Sequence, residues 1–248
     1  MRLDRFLTRR GEHSGKQVAR LLADGRVKLD GWTETNGLRK IDRFSRVELD
    51  GEILQAHEAV YLMLHKPAGW LSATTDPQHP TVIELIAHPL CHELHLAGRL
   101  DRASTGLLLL TNDGRWSKRV TEPVEEISKV YRVTTRDKIS PETAAHFAAG
   151  IYFAYEDLTT RPAVLEIVSD REALLTIHEG RYHQVKRMFH AVGNQVLSLH
   201  RESVGPLVLD GLAPGESRHL TAAEVAAFRC LPPKNQGGAD SDPLKPMR

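Results

Sequence analysis

Apolar residues recur at helical spacing at the front of the chain and at strand spacing through most of the rest. Leu3, Phe6 and Leu7 fall on one side of residues 2–9, with Arg2, Arg5, Arg9 and Arg10 on the others, which predicts a helix that Gly11 ends. Ser14 is an N-cap candidate for a second helix with Val18, Leu21 and Leu22 inward, Lys16 and Arg20 outward, and Asp24-Gly25 at its close. Residues 26–31 then alternate as a strand running into a turn. A polar stretch over 51–58 precedes the apolar run Val60-Tyr61-Leu62-Met63-Leu64-His65, so a domain boundary is expected near residue 58.

Beyond it the pattern reads as strands interleaved with short helices. The Val60 to His65 strand is broken by Lys66-Pro67-Ala68-Gly69-Trp70, and a short strand is expected over Leu94 to Ala97. Leu107-Leu108-Leu109-Leu110 predicts a buried strand ending in the Asn112-Asp113-Gly114 turn. A helix is expected over 115–121, ending near Pro123, then a strand over Lys129 to Thr134. Next come a helix over Ser140 to Ala149, with Ser140 as cap and Pro141 in the first turn, and strands over Ala163 to Val168 and Ala173 to Ile177. Residues 179–189 read as a strand end passing into a helix, Gln195 to Val204 as a strand and Thr221 to Phe228 as a closing helix. From Leu231 the composition turns to Pro, Gly, Lys and Asp, which predicts a disordered tail over 231–248. The chain is thus expected to form domains over 1–58 and 59–230, of mixed α and β structure.

Composition narrows the class. A chain of 248 residues that is 41% hydrophobic can bury a sizeable core. It has no run of eighteen apolar residues, and Met1 to Phe6 lack the apolar core of a signal peptide, so a cytoplasmic protein away from membranes is expected. Cys91 and Cys230 have no paired spacing and indicate neither a disulfide framework nor a zinc knuckle. The net charge is only +1, yet residues 1–46 hold twelve Lys/Arg against six Asp/Glu, leaving twenty-one against twenty-six beyond. The basic excess lies wholly at the front, where two small helices could lay cations along phosphates.

One stretch carries chemistry. Gly98-Arg99-Leu100-Asp101-Arg102-Ala103-Ser104-Thr105-Gly106 sets one carboxylate between two arginines and two glycines, immediately before the apolar strand. The glycines permit a sharp fold that leaves Asp101 facing a cleft, and Arg99 and Arg102 would hold it ionised, as a nucleophile or base must be. The alternative is an ordinary surface turn with two ion pairs. His88, Cys91, His92 and His95 have metal-ligand chemistry but match no compact zinc spacing, so no metal is expected.

The Asp101 stretch, continuing as Leu109-Leu110-Thr111-Asn112-Asp113-Gly114, resembles the catalytic motif of the pseudouridine synthases, in the branch typified by the enzyme of the small ribosomal subunit. Three further segments resemble that family: the Lys66-Pro67-Ala68-Gly69 turn, Lys129-Val130-Tyr131, and Gly180-Arg181-Tyr182-His183-Gln184-Val185-Lys186-Arg187-Met188-Phe189. The resemblance implies an α+β catalytic domain on a long mixed, largely antiparallel sheet with a central cleft, behind a small N-terminal S-four-type RNA-binding domain. It implies Asp101 as the catalytic aspartate, Tyr131 stacked on the target base, and a basic partner for Asp101 that is Lys186 or, less closely matched, Arg187. Arg99, Arg102, Lys129, Ile177, Arg181 and Arg187 are then expected to line or contact the substrate, with His200 and Arg201 available to RNA. Arg2, Arg5, Lys16 and Arg20 would contact phosphates from the first domain, although Gly15 stands where the family commonly has an arginine after the cap serine.

The implied activity is isomerisation of one uridine, flipped out of partly structured RNA, with no cofactor. Small-subunit (16S) ribosomal RNA, or a small-subunit assembly intermediate, is the expected partner of a monomeric enzyme. Arg102-Ala103-Ser104 looks more like the large-subunit relatives, so large-subunit (23S) RNA is one alternative and a non-catalytic rRNA-binding assembly factor another.

Overall fold

Leu3 and Leu7 are buried on one side of α1 (Leu3–Arg9), and Val18, Leu21 and Leu22 on one side of α2 (Gly15–Ala23). Strands β1 (Val27–Leu29), β2 (Trp32–Thr33), β3 (Val47–Leu49) and β4 (Glu52–Gln55) form an antiparallel sheet in the order β2-β1-β3-β4, and both stripes pack with residues of β1, β3 and β4. A reciprocal capping box starts α2: Ser14 Oγ accepts from Gln17 N and Gln17 Oε1 accepts from Ser14 N. Arg5, Lys16 and Arg20 are exposed, whereas Arg2 is engaged by Asp4. The structure, a computed structural model, describes residues 1–122 and 127–228. Cys230, the expected helix end at Pro123 and the expected tail over 231–248 lie outside the described residues.

The chain divides into two units, Met1–Val60 and the remainder from Tyr61. The second is organised by a mixed sheet. Its strands are β5 (Tyr61–Lys66), β6 (His95–Leu96), β7 (Thr105–Thr111), β8 (Lys129–Thr135), β11 (Val164–Ser169), β12 (Glu172–Ile177), β13 (Val196–Val204), β14 (Leu207–Val208) and β15 (Ser217–His219), while β9 (Tyr152–Phe153) and β10 (Leu158–Thr159) form a separate hairpin. The order is β11-β12-β8-β13-β7-β5-β15, with β14 on β13 and β6 on β7; every pairing is antiparallel except β13 with β7. Helices α3 (Gly114–Thr121), α4 (Glu142–Ala149), α5 (Gln184–Ala191) and α6 (Ala222–Ala227) complete the unit. This is the α+β class with a long, largely antiparallel sheet.

Leu107 to Leu110 are each fully buried, which explains why β7 is continuously apolar instead of alternating: both of its faces are covered. A second core, including Val133, Phe147, Leu175, Met188 and Phe189, fills the space between β8, β12, α4 and α5.

Two local expectations change. Helix α4 begins at Glu142 with Pro141 as its cap residue, and Ser140 Oγ accepts from Glu142 N at 3.3 Å, because proline's fixed φ already suits the helical entry. Gly106 does not close a loop but lies inside β7, at φ +110°. There β13 approaches so closely that an added Cβ would sit 2.2 Å from the Arg201 carbonyl oxygen and 2.5 Å from its nitrogen. Both the left-handed φ and the space therefore demand glycine.

Gly106→Ala should lower unfolding stability by about 3 kcal/mol, since both the backbone angle and a packed strand must give way. Denaturant unfolding of the two proteins checks this; an unchanged midpoint would contradict the close approach.

Candidate active site

The Asp101 loop leaves β6, turns through a Ser104 N–H to Asp101 carbonyl bond of 3.0 Å, and enters β7. It is held from below by buried polar groups. Lys66, at the end of β5 and fully buried, donates from Nζ to the carbonyls of Ser104 (2.8 Å), Pro67 (3.0 Å) and Arg102 (3.2 Å). Ser72 Oγ donates to the Leu100 carbonyl at 2.6 Å and accepts from Leu100 N at 3.0 Å. The Lys-Pro-Ala-Gly turn closes on the same loop: Gly69 N donates to Arg102 O at 2.8 Å and Arg102 Nε to Gly69 O at 3.0 Å. Burial pushes the Lys66 ammonium down to about 8, against the upward pull of Asp101.

The carboxylate's partners come from α5. Lys186 Nζ lies 2.7 Å from Asp101 Oδ2, and His183 Nε2 lies 3.3 Å from Oδ1. Three residues apart, the two share one side of the helix start. His183 precedes the first turn at φ +49°, a left-handed conformation uncommon outside glycine, and its ring stacks on Tyr182 with centroids 3.9 Å apart. The helix entry is pinned by buried Glu179, which accepts from Arg161 N (2.9 Å), Gln184 Nε2 (2.8 Å) and Arg181 Nε (3.0 Å).

Tyr131 rises from β8 on the face it shares with Lys129, beside Ile177 of β12. Together with Asp101, Arg99, Arg102, Arg181, His183 and Lys186 they line one cavity of about 620 Å³. The structure thus brings Asp101, Tyr131 and Lys186 to one cleft with Lys129 and Ile177.

Several expectations are corrected. Arg99 and Arg102 form no ion pair with Asp101 among the described residues: Arg99 is exposed and the Arg102 guanidinium is used on Gly69, so the flanking positions in sequence diverge in space. Arg187 points elsewhere, binding Glu156 through both terminal nitrogens and lying 3.7 Å over the Phe153 ring. Arg201 is not available on the surface. It is 2% exposed, donates from Nε to Leu107 O at 2.7 Å, and reaches Arg99 O and the Tyr131 hydroxyl at 3.4 Å each. His200 is half-buried and bonded to Thr105 Oγ1 at 2.8 Å, and burial lowers its pKa. Arg181 is exposed at the cleft but tethered by Glu179.

Sequence reasoning missed three contributors: Lys66 beneath the loop, His183 on the carboxylate and Glu179 at the helix entry. His183 stands within the motif that supplied Lys186, and Lys66 within the Lys-Pro turn, so each had a positional signal. Among the described residues no group of three or more His, Cys, Asp or Glu side chains is placed to hold a metal ion, and His95 bonds Ser117 instead. No described helix is long and apolar enough to cross a membrane.

A carboxylate paired to a helix-borne lysine thus shares one cleft with an aromatic ring carried on a mixed sheet. The model of the family described as RNA pseudouridylate synthase matches residues 60–191. Ribosomal small subunit pseudouridine synthase A of Pseudomonas aeruginosa is 51% identical over 92% of this chain and 100% of its own length. The protein of that name from Yersinia pestis is 47% identical over 92% and 97%, and that from Escherichia coli 45% over 92% and 99%. A crystal structure described as pseudouridylate synthase superposes with a TM-score of 0.67 at 40% identity, covering 92% of this chain and 99% of that one. The chain belongs to the RNA pseudouridylate synthase family and is an isomerase.

Lys66 and Lys129 are both lowered from 10.5 to about 8, chiefly by burial, so their charged forms are present below that pH and lost above it. The single-turnover rate on RNA should fall as pH rises through about 8. Thermal stability should not fall in the same window, because groups that bind protons less tightly when folded favour the folded state as they discharge. A rate that stays flat to the ordinary lysine range would contradict this.

Proposed function

We propose that this chain converts one uridine of small-subunit ribosomal RNA to pseudouridine, with Asp101 as the reacting carboxylate, Tyr131 as the surface that keeps the base, and Lys186 as the cation paired with that carboxylate. The observation that carries the reading is the 2.7 Å Lys186 to Asp101 contact in a cleft walled by Tyr131 and Ile177. A carboxylate entering a water-poor pocket with substrate would otherwise take up a proton and lose its nucleophilicity. The names of the relatives, matched along almost their whole length, favour the small-subunit target.

Isomerisation breaks the bond from ribose C1′ to uracil N1, turns the base and rejoins it through C5. The reaction is neutral in redox and in water, so its balance calls for no co-reactant. What it calls for is a carboxylate near the sugar, a flat wall that retains the free base, and exclusion of water. An amphipathic ring supplies the wall: its face covers the base while its hydroxyl meets Arg201. Asp101 would act on the ribose side or on the base.

The target uridine has to leave its stack, at a cost of a few kcal/mol, roughly, that phosphate contacts offset. Arg99, Arg102 and Arg181 are exposed at the cleft for this, and the first domain, 1–58, as an S-four-type module would add Arg5, Lys16 and Arg20. We assign the catalytic domain to 59–230. We read the enzyme as a cytoplasmic monomer acting on a small-subunit assembly intermediate.

Asp101→Asn should lower pseudouridine formation by about four orders of magnitude, the scale on which removal of a reacting group acts, while RNA affinity is kept. An active Asn variant would overturn the role of Asp101. Mapping pseudouridines in cells lacking this protein should show one small-subunit site missing; loss of a large-subunit site would overturn the target, and loss of none would favour the non-catalytic assembly factor.

A further inference from the structure

Two cations beside the Tyr131 ring have no anion of their own among the described residues. Lys129 Nζ donates to the Ile127 carbonyl at 3.1 Å, and Arg201 donates to the Leu107 and Arg99 carbonyls and the Tyr131 hydroxyl. Neither forms an ion pair with a carboxylate among the described residues; Asp101 is taken by Lys186 and Glu179 by Arg181. They are neighbours: Lys129 and Tyr131 lie two apart on one face of β8, Tyr131 pairs in register with Arg201 on β13, and all three line the cleft. Burial, and after it the repulsion of Arg201, lower the Lys129 ammonium to about 8.

Holding a buried and a half-buried like charge together with no counter-charge among the described residues is costly, and such an arrangement persists where a ligand supplies the missing partner. RNA phosphates are one source of negative charge, but exposed Arg99, Arg102 and Arg181 are the cations open to them, whereas Arg201 is 2% exposed and bonded to the hydroxyl of the ring proposed to hold the base. The anion for this wall is one that forms inside the cleft.

The isomerisation generates such an anion. When the C1′–N1 bond breaks, its electron pair stays on the base, which becomes a uracil anion with charge shared among N1, O2 and O4. Where Asp101 acts on the ribose side, the ribose deficit is met by Asp101, either by a bond from its oxygen to C1′ or by its taking the C2′ proton as a C1′=C2′ double bond forms. In both cases one negative charge passes from Asp101 to the base. Rejoining through C5 reverses it: C5 bonds C1′, Asp101 is restored as a carboxylate, the C5 proton departs and N1 gains one.

We propose that Lys129 and Arg201 stabilise the detached uracil as an anion between cleavage and rejoining. The proposal rests on the reading of Asp101 and Tyr131 given above.

The test compares Lys129→Met, Lys129→Arg and the unaltered chain on two RNAs, one with uridine and one with 5-fluorouridine at the target. Fluorine withdraws electrons and stabilises the departing base itself, so the wall should matter less. Lys129→Met should slow single-turnover bond cleavage by about a hundredfold on uridine RNA but only about tenfold on fluorouridine RNA, with RNA affinity within about threefold and most of the rate restored in Lys129→Arg. Equal losses on both RNAs, with Asp101→Asn inactive, would overturn the role of the wall and leave the proposed function standing. An active Asp101→Asn protein would overturn the reading beneath it. Should Lys129→Met not fold, Arg201→Lys carries the same comparison.

Discussion

Where β7 and β13 run parallel, two backbones come closer than any side chain allows, and the cleft is built outward from that contact. Gly106 sits against the Arg201 peptide, Arg201 pairs across with Tyr131, and Tyr131 with Leu175, while on the other side Gly106 pairs with Lys66. A single row across the sheet therefore holds the ring proposed to carry the base, the buried guanidinium bonded to it, and the buried ammonium that holds the Asp101 loop. Antiparallel neighbours alone would not start β7 on the same level as this row. The parallel pair does, and so the loop that precedes β7 opens beside Tyr131.

Charge is distributed around the cleft by depth. Exposed ion pairs such as Lys138 with Asp170 contribute little to stability, at most about 1 kcal/mol. The groups that shape the site are instead buried cations satisfied by neutral carbonyls: Lys66 on three of them, Arg201 on two. Carbonyls meet the hydrogen-bonding need of an ammonium or guanidinium without cancelling its charge. The cleft thus keeps a net positive field around Asp101, the one acid lining it among the described residues, which suits the roles proposed for Asp101 and for the detached base.

Periodicity made the larger elements legible, since β7 as an unbroken leucine run and α2 behind Ser14 carry their signals locally. The three residues proposed to act were also readable, from motifs separated by 30 and 55 positions that no local pattern links. What could not be read was how deep a charge lies. Arg201 resembles any polar residue on a strand, although its position two after Leu199 and two before Ser203, both buried, puts it in phase with the inward face. Arg99 and Arg102 flank Asp101 in sequence but splay apart in space, because the turn at 101–104 spends their carbonyls on Arg201 and Lys66 and leaves their heads outward. The requirement for glycine at 106 comes from a strand about ninety residues further on and is invisible to any window.

The cation–π contact and twin hydrogen bonds that tie Arg187 to Phe153 and Glu156 fasten α5 to the β9–β10 hairpin. The lysine at 186 and the arginine at 187 are thereby sorted, one to Asp101 and the other to the hairpin. Exchanging the two residue types would keep composition and charge yet place a longer, forked head over the acid and a slack tether on the hairpin. Adjacent basic residues here are as little interchangeable as a hinge and a latch on one door.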